Sequence, residues 1–170
     1  MKSLSRYFTT AAVVLSIYAC KKEQPTIATS KEVTSQQPAE SLPIKVENLK
    51  LTEDDLGMGC ITEYYKKGSK NSNHIYTQTG AKNDQGWVNY MMINGKKEVF
   101  LSTNEDAKSN ADGTGFTQRL ENQDYIVEID PTIGETHIET DSAMAFGTIK
   151  IIRKSDNSST TIEFEGGSAC

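Results

Sequence analysis

The chain has 170 residues, of which 18 are basic and 23 acidic, for a formal net charge of −5. This balance argues against nucleic acid as a partner, because an acidic surface does not neutralise a run of phosphates. No segment after Cys20 approaches the roughly 20 consecutive apolar residues that a membrane-spanning helix needs.

The beginning of the chain has the pattern of an export signal. Two basic residues, Lys2 and Arg6, precede an apolar segment at residues 9–19 that ends in a small residue just before Cys20. This order predicts a secretory signal peptide over residues 1–19. Its removal takes away Lys2 and Arg6 but no acidic residue, so 16 basic residues face 23 acidic ones in the mature chain, a net charge of −7.

The four residues that end this segment, Ile17-Tyr18-Ala19-Cys20, resemble the lipobox of bacterial lipoproteins. The resemblance implies that Cys20 becomes the first mature residue, with a diacylglycerol on its thiol and a further acyl chain, such as palmitate, on its amine. The next residues, Lys21-Lys22-Glu23, are similar to the start of lipoproteins from the Bacteroidota. Because two or more acyl chains give stable anchoring, we expect a lipid anchor in the outer membrane or periplasm, with exposure on the cell surface as an alternative.

Residues 21–43 have the composition of a linker. They consist mainly of Lys, Glu, Gln, Thr, Ser and Pro, with Ile27, Val33 and Leu42 as the sizeable apolar side chains. Such a segment cannot bury enough apolar surface to offset its ordering entropy. We therefore expect a disordered tether at residues 20–43, with its ends on the order of 25–30 Å apart, followed by a globular domain at residues 44–170.

The globular part has a hydrophobic period of two, which is typical of strands. Turn residues such as Asp130-Pro131 separate nine predicted strands, and a single helical turn is predicted at residues 52–56. The pattern predicts an all-β antiparallel fold, either a barrel of about eight or nine short strands or a sandwich. We favour the barrel, because closure removes sheet edges. The predicted strands are 60–65, 74–78, 87–93, 96–102, 116–120, 125–129, 136–140, 145–152 and 160–164.

The strongest local prediction is a β-hairpin around Asn94-Gly95. Apolar runs at 87–93 and 96–102 flank this dipeptide. Asn and Gly supply the positive φ angles of a type I′ turn, which joins antiparallel strands with two residues.

Once Cys20 is lipidated, Cys60 and Cys170 remain as an even pair in an oxidising compartment. This favours a disulfide that closes nearly the whole domain. A reactive or metal-binding thiol at Cys60 is the alternative, although neither a histidine nor a second thiol lies near it in sequence.

The sequence contains few residues that indicate catalysis or metal binding. The two histidines, His74 and His137, lie in predicted strands at a separation that fits no zinc motif, so we expect neither metal nor cofactor. Acidic residues from Glu128 to Asp141 could supply paired carboxylates for glycoside chemistry, but a solvated strand face explains them as well. We expect a non-enzymatic protein.

One local segment offers a possible partner-binding loop. The run Thr77-Gln78-Thr79-Gly80-Ala81-Lys82, followed by Trp87, is similar to the inhibitory loop of membrane-bound inhibitors of c-type lysozyme. The resemblance implies that Thr79, Gly80, Lys82 and Trp87 contact a cell-wall hydrolase. The expected function is a binding module for an unidentified ligand, and the alternative is an inhibitor or immunity-type protein that blocks such a hydrolase.

Overall fold

A computed structural model describes residues 42–69, 73–81 and 86–170, all within one unit that spans Ala39–Cys170. The predicted signal peptide, the lipidation site Cys20 and the linker as far as residue 41 lie outside the described residues, as does Lys82. In the described part of the chain, no helix is long and apolar enough to cross a bilayer.

The described residues form an all-β fold, as predicted. Ten strands make one antiparallel sheet, and three single 3₁₀ turns, Glu53–Asp55, Asn104–Asp106 and Ile138–Thr140, interrupt it. The first turn confirms the helical turn predicted at residues 52–56. The strands are β1 Val46–Glu47, β2 Ile61–Lys66, β3 His74–Gly80, β4 Trp87–Ile93, β5 Lys96–Ser102, β6 Ala107–Ser109, β7 Phe116–Glu121, β8 Tyr125–His137, β9 Ser142–Arg153 and β10 Ser159–Ala169.

The sheet runs in the order β1, β4, β3, β2, β10, β9, β8, β7, β6, and β5 pairs with β4. One side of β4 pairs with β5 along its whole length. The other side is shared: it pairs with β3 at residues 87–91 and with β1 at residues 92–93. Within the described residues no backbone ladder joins β5 to β7. Side chains span this seam instead: Gln118 Nε2 lies 3.4 Å from Ser102 Oγ, and Asn122 Nδ2 lies 2.9 Å from Glu98 Oε2.

The predicted hairpin is confirmed. Asn94 and Gly95 have φ angles of 50° and 77°, and Ile93 pairs with Lys96 across the two-residue loop. The Gly95 amide donates to a carboxylate oxygen of Glu47 at 2.5 Å. The turn therefore also holds β1 against the end of β4.

Two predictions around β8 were wrong. Residues 125–129 and 136–140 were expected as separate strands with a turn at Asp130-Pro131, but β8 continues through Pro131 to His137. Pro131 is tolerated because the ladder with β7 ends at Ile129, so the proline nitrogen needs no partner on that side. Residues 138–140 form a 3₁₀ turn that leads to Asp141 at a φ of 45°, because the chain reverses there into β9.

The interior of the sheet holds a mixed aliphatic and aromatic core. Tyr64 stacks on Tyr76 and on Phe164, with ring centroids 5.1 and 4.0 Å apart. Aliphatic side chains fill the rest, and Ile44, just after the predicted linker, packs against them. The buried core residues are Tyr64, Ile75, Tyr76, Met91, Ile93, Phe100, Leu120, Tyr125, Val127, Ile129, Ala145, Ile149, Ile151 and Phe164.

The predicted disulfide between Cys60 and Cys170 is confirmed, with Cα atoms 4.0 Å apart and a sequence separation of 110. It joins the residue before β2 to the residue after β10. The Cys170 amide also donates to the Asp141 carbonyl at 3.1 Å. The bond therefore fastens the last residue of the chain between neighbouring strands.

The strand directions give the fold two distinct ends. At the entry end, the Leu42 carbonyl accepts from Arg153, close to the Asn94-Gly95 turn. At the opposite end, which we call the far end, lie the disulfide, the turn at Ile138–Thr140, and the junction between Gly80 and Trp87. Leu42, the first described residue, therefore lies at the entry end.

Candidate binding surface

Three of the predicted partner-binding residues, Thr79, Gly80 and Trp87, are described by the structure and lie at the far end, but they are not equally accessible. Gly80 pairs with Trp87 where β3 and β4 meet, and Trp87 is half-buried with its Nε1 donating to Asn104 Oδ1 at 2.9 Å. Thr79 is only 2% exposed, and its Oγ1 accepts from the Gly57 amide at 2.9 Å. The structure brings these three residues together, with the Thr79 hydroxyl covered by the segment before β2.

That covering segment is held on the outer face of the sheet by Asp55. The Asp55 carboxylate pairs with Lys97 Nζ at 2.5 Å, and its backbone carbonyl accepts from the Tyr90 hydroxyl at 2.9 Å. The hydrogen bond from Lys97, with further hydrogen bonds from Thr52, lowers the pKa of Asp55 to about 2. The ion pair is thus formed at neutral pH and keeps residues 52–58 over β3 and β4.

A polar cluster in the interior is closed to ligands. The side-chain amide of Asn89 makes four hydrogen bonds, from Tyr76 and Gln78 to its oxygen and from its nitrogen to Phe100 and Ser102. Burial, with the nearby Tyr64, raises the pKa of Tyr76 well above its ordinary value, so this phenol stays protonated and donates. Because Asn89 is fully buried and satisfied, it positions β3, β4 and β5 rather than binding a molecule.

An open surface with exposed apolar side chains lies on the outside of β10 and its two neighbours. Two depressions of about 320 and 430 Å³ adjoin there, and Met144 lines both. We call this surface the β10 groove and define it by Glu63, Tyr65, Met144, Phe146, Glu163 and Glu165, with Gly167 in its floor.

The register of the strands arranges the groove in rows. Glu165 pairs with Tyr65 on β2 and with Phe146 on β9, so these three side chains lie side by side on one face. The next row joins Glu63, Gly167 and Met144 in the same way. Each row therefore places a carboxylate next to a large apolar or aromatic side chain.

The two large apolar side chains of the groove that lie on β9 are about half exposed and adjacent on one face. Phe146 is 54% and Met144 50% exposed, and Gly134 leaves Phe146 uncovered on the β8 side, since a Cβ there would lie 3.6 Å from Phe146 Cε1. Contiguous exposed apolar side chains of this size mark interaction surfaces more often than isolated ones do.

The carboxylates of the groove have few basic neighbours. Glu163 pairs with Lys67 at 3.3 Å, an oxygen of Glu63 lies 2.8 Å from His74 Nδ1, and Glu165 accepts from the Gly68 amide at 3.2 Å. Burial and the neighbouring Glu63 raise the pKa of Tyr65, so its hydroxyl remains a donor. The adjoining sequence from Leu120 to Ile149 contains seven acidic residues and neither lysine nor arginine, which adds to the negative potential.

Two further acidic side chains, outside the groove, lie beside basic or histidine side chains. Glu128 pairs with Lys150 at 3.3 Å, and Glu135 lies 3.6 Å from His137 Nε2. Among the residues that the structure describes, no group of three His, Cys, Asp or Glu side chains is placed to hold a metal ion.

Sequence reasoning missed the groove, because the alternation in 143–147 does not show which face is buried. Ala143 and Ala145 alternate with Met144 and Phe146, so apolar residues occupy both faces of β9. The lack of basic residues between Leu120 and Ile149 is a signal that was available.

Comparison of the chain with protein-family models, with curated proteins and with solved structures gives no match.

Proposed function

We propose that this protein is a lipid-anchored lipoprotein of the bacterial cell envelope whose all-β domain acts by binding a partner and not as an enzyme. The observation that carries the proposal is that the chain enters the domain at one end, whereas the exposed apolar side chains of the β10 groove lie nearer the other. The chain enters at Leu42 at the entry end, whereas Met144 and Phe146 lie in the half of β9 that is nearer the far end. A domain anchored through Cys20 would thus carry Met144 and Phe146 in the half that is remote from Leu42.

The linker supports this arrangement. A coil between Cys20 and residue 43 has an end-to-end distance on the order of 25–30 Å, which gives the domain room to meet a partner beside the membrane. The outer membrane or periplasm is the proposed location, and the cell surface is the alternative.

We also propose that the sheet is functionally a barrel whose last seam is bridged by side chains. Gln118 and Asn122 on one side reach Ser102 and Glu98 on the other. A close approach of two strands is compatible with this curvature: a Cβ on Gly166 would lie 2.1 Å from the Glu63 carbonyl oxygen, which leaves no space for a side chain there.

A second candidate is the inhibitor of a lysozyme-like cell-wall hydrolase. The position of Gly80 and Trp87 favours it, because both lie at the far end, opposite the end at which Leu42 enters the domain. The covered hydroxyl of Thr79 argues against a direct role for that side chain. A turbidity assay with c-type lysozyme tests this candidate, and unchanged lysis at a molar excess of the domain would exclude it.

Phase partition in a detergent that separates on warming tests the proposed anchor. Wild-type protein from a bacterial host is expected in the detergent phase and Cys20→Ala in the aqueous phase, because two or more acyl chains dominate the partition. The matched control is Cys170→Ala, which removes a cysteine without affecting the anchor and should remain in the detergent phase. Membrane retention of Cys20→Ala after a high-salt wash would refute the proposal.

A further inference from the structure

We infer that the β10 groove binds a cationic amphipathic segment of a partner protein, a stretch in which lysine or arginine alternates with large apolar side chains. This inference rests on the proposed binding function and names the chemistry of the partner. It follows from three properties of the groove: exposed apolar side chains, a floor without side chains, and unbalanced carboxylates.

The apolar part of the groove supplies contact area. Met144 and Phe146 lie two residues apart on the same face of β9, and each is about half exposed. Tyr65, half-buried on β2, lies across Glu165 from Phe146. An apolar side chain of a partner placed against Met144 and Phe146 would remove exposed apolar surface from water, and burial of this kind is the dominant favourable contribution to most protein association.

The floor of the groove is open because the backbone requires it. A Cβ at Gly167 would lie 2.3 Å from the Ala143 carbonyl oxygen, so no side chain can occupy this position between Glu63 and Met144. The depression is thus a consequence of the fold and not of a side chain that could rotate to fill it.

The charge of the groove selects the partner. Three carboxylates, Glu63, Glu163 and Glu165, face one basic residue, Lys67, among the described residues that line the two depressions. Lys67 is already paired with Glu163. Because Glu165 lies between Tyr65 and Phe146, a cation that approaches it does so beside apolar contacts. A segment with alternating basic and apolar side chains satisfies both features, and complementary charge speeds and orients such encounters.

The same charges disfavour two other occupants. An anionic lipid surface would be repelled by the carboxylates of the groove and by the acidic run from Leu120 to Ile149. A second copy placed by two-fold symmetry would bring two copies of the same acidic surface face to face. The geometry therefore points to a partner of opposite charge.

Fluorescence anisotropy of a labelled peptide tests the inference. The protein is the mature chain, residues 20–170, with Cys20→Ala and the Cys60–Cys170 bond oxidised. The probe is a 12-residue peptide of alternating leucine and lysine, and the comparison peptide has glutamate in place of lysine. We expect saturable binding of the lysine peptide that weakens at high salt, and at least about tenfold weaker binding of the glutamate peptide.

Variants locate the site. The exposed pair Met144→Ser with Phe146→Ser should raise the Kd about tenfold or more, and Glu163→Gln with Glu165→Gln about threefold to tenfold at low salt. The matched controls are Leu101→Ser, an apolar residue 74% exposed on β5, and Glu128→Gln, a carboxylate outside the groove; neither should change the Kd. Thermal melts confirm that each variant is folded.

Four outcomes would overturn the inference: no binding of the lysine peptide, equal binding of both peptides, loss of binding in the Leu101→Ser control but not in the groove variants, or binding of the protein to anionic vesicles or to itself in sedimentation. These outcomes are distinguishable from a failure of the proposed function. If wild-type protein still partitions into detergent while the peptide does not bind, the anchor stands and the groove assignment is wrong.

Discussion

The disulfide between Cys60 and Cys170 provides the most quantitative prediction. The bond closes a loop with a sequence separation of 110. In the chain-entropy model a loop of this length restricts the unfolded state by about 5 kcal/mol. The double variant Cys60→Ala with Cys170→Ala should therefore lose about this free energy of unfolding, which for a domain of this size lowers the Tm by about 15–20 °C.

The folded state should change little in this variant. Ala169 pairs with Ile61 and with Ser142, and the Cys170 amide donates to the Asp141 carbonyl, so hydrogen bonds hold the last residues without the bond. The loss should therefore arise mainly in the unfolded chain, which becomes more expanded. Urea melts should show a larger m value as well as a lower midpoint, because more surface becomes exposed on unfolding.

The control for this experiment is a reducing agent, which should destabilise the wild type and leave the double variant unchanged. Thiol counting on unfolded, unreduced protein with Cys20→Ala should find no free thiol. A loss below about 1 kcal/mol with an unchanged m value would refute the reasoning, because it would mean that the bond does not restrict the unfolded chain.

Two further predictions concern the turn and the covering segment. Gly95→Val should lower the free energy of unfolding in urea melts by on the order of 1–3 kcal/mol. A Cβ at residue 95 would meet nothing closer than Glu47 at 3.9 Å, so this cost would arise from backbone strain at positive φ. Gly95→Asn, which tolerates this φ, should cost less, and equal stability of the valine variant and wild type would contradict the turn assignment. Hydrogen bonds from Lys97 and Thr52 lower the pKa of Asp55 to about 2. The ionised Asp55 carboxylate should therefore contribute about 1–2 kcal/mol to the free energy of unfolding, a contribution that is present above pH 4 and lost as the pH falls through about 2. Asp55→Asn should remove this part of the acid dependence, and an unchanged slope of stability against pH between wild type and Asp55→Asn would contradict the role of the ion pair.

The parts of the fold that were predictable depend on local chemistry. The Asn94-Gly95 turn needs two residues with positive φ, and few dipeptides supply them, so the hairpin was evident from sequence. The pairing of Cys60 with Cys170 followed from the small number of cysteines. The strands β1 and β6 were missed because two or three residues carry no periodicity.

Other features depend on contacts between distant segments. Proline normally ends a strand. Pro131 is accommodated within β8 because the pairing of β8 with β7 ends at Ile129, two residues before it. The side chain of Thr79 is covered by Gly57, and nothing near Thr79 in sequence indicates that segment. The sequence did not show which face of β9 carries Met144 and Phe146, because alanines, which are also apolar, occupy the alternate positions. In each case tertiary packing, and not local propensity, determined the result.

The central claim is that a lipid on Cys20 anchors this domain, and intact-mass spectrometry of protein extracted from the membranes of a bacterial host tests it most directly. The account predicts a chain that begins at Cys20 and carries the additional mass of a diacylglycerol and an amide-linked acyl chain. A chain that retains residues 1–19, or one that begins at another residue and carries no lipid, would contradict it.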